Sequence, residues 1–324
     1  MPLSRRALLL TAAYILFGTA AQAQTYPERP VRIIVPYTAG GPADVLLRSL
    51  GQKLSEQWGQ PLVVENRAGA NEMIAAEAVA KSPGDGYTFL LASDAVFTLN
   101  HHLYSKVPYD PVNDFVPVSK LVNANLMLVA RPDFPANTAR EAIDYIKKNP
   151  GKVNYGSVGA GGVNHLGMAW LASLNGLEMQ HVPYKGLAPA LQDVVSGRID
   201  IMFAVIGGAV PFIDSGKLKG LAVAGRARSP IAPNVPTFAE AGFPNFDASF
   251  YFGVAAPKGT PPAIVAKFAR DASAIINTED FKTRYLRNLG FEAVGDTPEQ
   301  FAAFLKADRP LGAQKVKVSG AKLD

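Results

Sequence analysis

The 324-residue sequence contains no cysteine. That absence excludes disulfide bonds, a thiolate nucleophile and any cysteine-ligated metal centre. Histidine is scarce too: of four, His101 and His102 are adjacent and would point apart on a strand, while His165 and His181 stand alone, so no metal-ligand spacing occurs. Beyond the N-terminal segment, no apolar run approaches the ~20 residues of a membrane-spanning helix. Charge of one sign is also in short supply. The formal charge of +5 falls to +3 without Arg5 and Arg6, and the tail from Lys306 onward alone carries a net +3, so the rest is neutral overall. No basic groove interleaved with aromatics is present, which argues against nucleic acid as a partner. Stability must therefore rest on an apolar core, and 48% hydrophobic residues over roughly 300 positions leave room for two lobes.

What is present begins with "MPLSRRALLLTAAYILFGTAAQAQ": two arginines, an apolar run from Ala7 to about Ala20 and a small-x-small site at Ala21-Gln22-Ala23. That is the pattern of a secretory signal peptide cleaved near Ala23, which predicts an exported, periplasmic product. Ser4-Arg5-Arg6 followed by leucines resembles a twin-arginine signal with incomplete flanks, so both export routes stay open.

After it, strand-like and helix-like runs alternate. "VRIIVPY" leads into a helix with Leu46, Leu50, Leu54 and Trp58 on one face; "PLVVEN", "YTFLLA", "LMLVA", "VNYGS", "MQHVPY", "IDIMFA", "LKGLAVAG" and "FYFGVAAP" follow as further strands, with helices between. The alternation predicts an α/β fold of mainly parallel sheets with helices on both faces.

Two strand-to-helix turns are rich in glycine: "YTAGGPAD" at 37–44 and "GSVGAGGVN" at 156–164. A helix N-terminus offers unpaired N–H groups and the positive end of the helix dipole, a seat for a carboxylate or phosphate. Neither turn contains lysine or arginine, so an anion there must be held by backbone donors, hydroxyls and water. The alternative is plain geometry, since glycine permits positive φ. The phosphate-loop ending is missing, and Asn164 stands where a dinucleotide fingerprint needs its third glycine. Ser157 lacks the full spacing of a nucleophile elbow. Asp44, in the first turn of its helix, most simply stabilises that N-terminus. No credible set of acid, base and nucleophile emerges, and no cofactor motif.

The stretches "YPERPVRIIVPYTAGGPAD", "VVENRAGA", "AVAKSPGDGYTFLLAS", "YDPVNDFVPVS", "NYGSVGAGGVNHL", "HVPYKGLAPALQDVVSGRIDIMF", "GKLKGLAVAGRARSP", "VPTFAEAG" and "AAPKGTPPAIV" together resemble the Bug family (TctC-like), the periplasmic solute-binding receptors of tripartite tricarboxylate transporters. The resemblance runs from Tyr26 to Asp324. It implies a two-lobed periplasmic binding protein of type II-like fold, with lobe one at 26–122 plus 246–324 and lobe two at 123–245. It also implies a monomer that captures a small carboxylate for membrane permease subunits, without catalysis, cofactor or metal. A sensor feeding a signalling partner uses the same fold and stays open, as does, remotely, a hydrolase using Ser157.

Carried over by position, the resemblance nominates Tyr37, Thr38, Ala39, Gly40, Gly41 and Asp44 in the first loop, and Ser157, Gly159, Gly161 and Asn164 in the second. His165 is expected to support the helix start. Ser93, Asp94 and Phe97 come from another cleft-lining segment, and Tyr184 and Ala204 complete the set, with Tyr184 equally able to pack inside lobe two. The departures are as informative. Gly162, Val163 and Ala204 stand where relatives often carry polar groups, and "GANEMIAAEA" replaces a more glycine-rich stretch. With Phe97 and Tyr37 adding aromatic surface, these changes predict a carboxylate with a hydrophobic or aromatic portion. Near the end, Pro310 and Gly312 predict a break or kink in the last helix.

Overall fold

A computed structural model describes residues 26–184, 186–225 and 227–323. The segment read as a signal peptide lies outside the described residues. Two sheets organise the rest. The first runs in the order β11–β4–β10–β3–β1–β2, from β1 (Val31–Val35), β2 (Leu62–Asn66), β3 (Thr88–Ala92), β4 (Phe115–Ala124), β10 (Phe250–Pro257) and β11 (Phe291–Ala293). The second runs β7–β6–β8–β5–β9, from β5 (Leu126–Ala130), β6 (Val153–Ser157), β7 (Met179–Pro183), β8 (Ile201–Val205) and β9 (Lys219–Ala224).

Both sheets are mixed. The pairs β1–β2, β1–β3, β6–β7 and β6–β8 are parallel, as the alternation of strands and helices predicts, whereas β4, β5, β9, β10 and β11 pair antiparallel. Only Asn125 separates β4 in one sheet from β5 in the other, so the chain passes between the sheets in a single residue. It returns between β9 and β10, and there Gly225 leaves room for Asn125: a Cβ would sit 2.7 Å from Asn125 Cγ and force that side chain to shift.

The central strands β3, β5 and β10 are buried along their whole length, which requires cover on both faces. Helix α1 (Pro42–Trp58) supplies part of it by burying Leu46, Leu47, Leu50 and Leu54 completely. At its end Trp58 packs edge-on against Phe268 and donates its indole N–H to Asp271 Oδ2 at 2.8 Å. α2 is Met73–Ala80, α3 Ala139–Lys148, α4 Val163–Asn175, α5 Leu187–Val195, α6 Ile206–Asp214 and α7 Pro262–Ile276. His101 and His102 lie on a short helix, Asn100–Leu103, entered through a π-helical turn at Ala95–Leu99, and so do not occupy a strand.

The last helix, α8 (Pro298–Ser319), does not break at Pro310 or Gly312. An interior proline costs about 3 kcal/mol, but α8 is capped by a Thr297/Gln300 box and pinned by the buried Phe301, Leu305 and Val316. Gly312 serves contact: a Cβ there would lie 2.6 Å from Thr98 O. Among the described residues no helix is long and apolar enough to cross a membrane.

Candidate functional site

Both glycine turns follow a buried parallel strand and open a helix whose N-cap is glycine with no side-chain cap: Gly41 for α1 and Gly162 for α4. The N–H groups of each first turn therefore lack the usual Ser, Thr or Asp acceptor. Gly40, Gly159 and Gly161 have φ of 81°, 137° and 75°, backbone that side chains disfavour.

The first loop is stapled by carboxylates. Asp44, 2% exposed, accepts from Gly40 N (2.9 Å) and Arg48 Nε (2.9 Å) on Oδ2 and from Asn66 Nδ2 (2.8 Å) on Oδ1. Burial alone would raise its carboxyl, yet these hydrogen bonds prevail and hold it below the usual range. With both oxygens engaged, Asp44 supports the loop. Thr38, Ala39 and Gly40 are the exposed residues of the turn. Tyr37 packs edge-on against Phe252 and donates its hydroxyl to Glu72.

Glu72 is a residue that the sequence reading missed. It is 6% exposed and also accepts from Ser93 N at 3.0 Å and from the Ser93 hydroxyl. Burial raises its carboxyl, opposed by the Ser93 and Tyr37 hydrogen bonds. Ala70, Asn71 and Glu72 all have positive φ, of 46°, 48° and 72°, a run that L-residues rarely adopt. The consequence is local: Glu72 faces Tyr37, while Asn71 Nδ2 reaches Asn100 Oδ1 (2.7 Å) and Gly161 O (3.4 Å) in the second loop. Two chain neighbours thus touch one glycine loop each. The only sequence signal was an acid and an amide in a stretch that the family pattern fills with glycine.

The second loop is stapled by neutral rings. His165 and His181 stack with centroids 4.0 Å apart, and Tyr155 stacks on His181 at 4.9 Å. Gly161 N donates to His165 Nδ1 at 3.0 Å, so His165 must be neutral with its proton on Nε2. Burial, then the neighbouring His181, pushes His165 down to about 4; burial also lowers His181. Ser157 Oγ lies 2.7 Å from His181 Nε2 and also bonds Gly159 O (3.0 Å) and Gly159 N (3.2 Å). Although a serine and a histidine meet, Ser157 is 0% exposed and committed to the loop, and no acid bonds the far nitrogen among the described residues. That arrangement supports a turn; it does not present a nucleophile.

Four further nominated side chains are buried or find their partners within the fold. Phe97 is 1% exposed and packs edge-on against Phe115 and Phe301 inside the first sheet's core. Ala204 is fully buried in the second sheet's core. Asn164 donates to Phe203 O at 2.7 Å, and Tyr184 donates to Asp193 Oδ2 at 2.7 Å. Ser93 bonds Glu72, while Asp94 is 7% exposed with Oδ1 buried and unpartnered. Among the described residues no group of three or more His, Asp or Glu is placed to hold a metal.

The model of the tripartite tricarboxylate transporter family receptor (TctC) matches residues 46–312. The chain belongs to that family. The BugT protein of Bordetella pertussis is 36% identical over 321 residues, covering 97% of this chain and 98% of BugT. Among solved structures, R. palustris Rpa4515 with adipate superposes with a TM-score of 0.86 at 33% identity, covering 92% of this chain and all of the other. MatC from Rhodopseudomonas palustris with bound malate gives 0.81 at 33% identity, covering 90% and 100%. The chain is thus a solute-binding receptor of the two-lobed periplasmic binding protein fold, a family of receptors and not of enzymes.

Proposed function

We propose that the protein captures a small carboxylate between its two glycine loops and delivers it to the membrane permease of a tripartite tricarboxylate transporter, acting as a monomer in the periplasm. The observation that carries the proposal is the pair Asn71 and Glu72, which ties Tyr37 of one uncapped helix start to Gly161 of the other. Backbone N–H groups of Thr38, Ala39 and Gly41 and of Ala160 and Val163 would hold the carboxylate, while those of Gly40, Gly159 and Gly161 are taken by Asp44, Ser157 and His165, which with Asn164 keep the turns in shape. Lobe one would comprise residues 26–122 with 246–324, and lobe two 123–245. Relatives solved with adipate and malate support a carboxylate. An apolar body remains the expectation, resting on Tyr37 and Val163, since Phe97 and Ala204 lie in the cores.

The test is a thermal-shift and calorimetric panel of aromatic acids, aliphatic dicarboxylates, citrate, malate and amino acids against the purified chain. Carboxylates are expected to stabilise it, with affinity only modestly reduced at high ionic strength, since no lysine or arginine sits in either loop. Failure of every carboxylate would overturn the proposal. Co-purification with permease subunits, and not with a sensor kinase, tests the transport role.

A further inference from the structure

The residues that follow α8 return to the second glycine loop. Gly320 ends the helix at φ 64° with its N–H on Lys317 O (3.3 Å), while the Ser319 hydroxyl donates to Val316 O (2.8 Å) and accepts from Ala321 N (3.2 Å). A left-handed glycine turns the chain off the helix axis. Leu323 N then donates to Leu103 O at 2.9 Å. The Leu323 side chain packs on a small apolar cluster made by Leu99 and Leu103, which follow β3, Val316 of α8 and Leu166 of α4. β3 lies in the first sheet, and α4 follows β6 of the second, so the cluster joins elements of both. Leu323 also stands directly against Gly161: a Cβ there would fall 2.2 Å from Leu323 Cδ1 and 3.2 Å from Leu103 Cδ1.

Gly161 is the most constrained point of its loop. Its N–H goes to His165 Nδ1 (3.0 Å), its carbonyl accepts from Asn71 Nδ2 at a long 3.4 Å, and its φ is 75°. The weaker of these two bonds is the one toward Asn71, and on that side the apolar contact with Leu323 and Leu103 adds the restraint. Gly162 N is turned back to Gly159 O (3.3 Å), which leaves the N–H groups of Ala160 and Val163, one on each side, without a partner among the described residues. Where those two groups point follows from where Gly161 is held. A hydrogen bond weakens steeply with misalignment, and donors already fixed in place spare the ligand the cost of ordering them.

We propose that Leu323 is a positioning residue of the second glycine loop: residues 320–323 form a strap that sets Leu323 against Gly161 and so aims the Ala160 and Val163 N–H groups at the carboxylate. The proposal rests on that loop holding a carboxylate, as argued above. Leu323 is only partly buried, whereas Leu166 and Val316 beneath it are buried. Shortening its side chain therefore removes little of the core, and the effect falls on the loop.

The experiment joins amide hydrogen exchange to calorimetry on the mature chain, with adipate and malate as probes, for wild type, Leu323→Ala, Leu323→Met and Lys322→Ala. In ligand-free Leu323→Ala the amides of residues 156–166 are expected to exchange about tenfold faster, while those of the buried strands β5 and β10 keep their wild-type rates. The dissociation constant for whichever probe wild type binds should rise about tenfold, measured well below the unfolding temperature. Leu323→Met keeps the length and apolar character and should restore both readouts to within about twofold. Lys322→Ala, at an exposed neighbour, should change neither. Unchanged exchange in the loop would overturn the assignment, because Leu323 would then only pack the tail. Faster exchange with an unaltered dissociation constant overturns it too, since the loop would not need Leu323 to bind. Where Leu323→Ala does not fold, Leu323→Val supplies the same two readouts. If wild type binds neither acid while exchange in the loop still rises, Leu323 holds the loop and the carboxylate reading is what falls.

Discussion

The two glycine loops share a plan and differ in what holds them. Each joins a buried strand to an uncapped helix, yet the first is fastened by ionised or buried carboxyls, Asp44 and Glu72, and the second by neutral imidazoles and a hydroxyl, His165, His181 and Ser157. Backbone geometry alone therefore does not set how such a loop responds to its surroundings. A carboxylate staple is strongest when ionised, whereas an imidazole that accepts an N–H works only while neutral. The two loops should fail under different conditions and through different substitutions.

The largest effect is expected at Glu72. Glu72→Ala leaves Ser93 N and two hydroxyls without their acceptor, at a cost of about 3 kcal/mol of stability. Because φ there is 72°, Glu72→Gly should cost about 0.5–1 kcal/mol less, the relief of left-handed strain exceeding the added chain entropy. Urea unfolding of the pair checks this; equal losses would mean that the strain is not felt.

Next is pH. His165 has a native value of about 4 against an ordinary 6.5, so the unfolded chain binds the extra proton and stability is lost as pH falls from about 6.5 toward 4. After discounting for partial exposure this amounts to about 2 kcal/mol. Glu72 and Asp94, raised by burial, act in the opposite sense, so the difference between variants is the clean readout. His165→Asn should be less stable than wild type at pH 7.5, with the deficit narrowing by about 2 kcal/mol at pH 4.5. A constant deficit would show that the neutral ring is not what the loop requires. Over the same range Asp44 stays ionised, since its carboxyl is held below 3.8, and its contribution is lost only at lower pH.

In the first loop, Asp44→Ala is expected to cost about 2 kcal/mol by stranding Gly40 N and Asn66. Arg48→Ala should cost only about 0.5 kcal/mol, because the Arg48 side chain is 51% exposed and water can replace it. Chemical denaturation of both measures the ratio, and comparable losses would make the Asp44–Arg48 pair, and not the loop bonds, the working element.

Much of this was legible along the chain. Strand–glycine–helix order, the Leu46, Leu50 and Leu54 face of α1 and the family motifs are local patterns, readable because backbone preference and hydrophobic period act over a few residues. The absence of cations from both loops was legible too, and it agrees with turns held together by carboxyl and imidazole supports. Side-chain direction was not. Phe97 turned into the core between Phe115 and Phe301, Asn164 and Tyr184 were taken up by Phe203 O and Asp193, and α8 ran through Pro310. Each outcome depends on partners far away in sequence that only packing brings near. The same is true of His181 meeting Ser157 and His165, and of Glu72 joining Tyr37 to Ser93. Sequence by itself determined the elements and their order, because these follow from local propensity and periodicity. Which polar groups serve the fold was decided by tertiary structure, because a buried donor or acceptor must find its partner wherever the packed chain puts one.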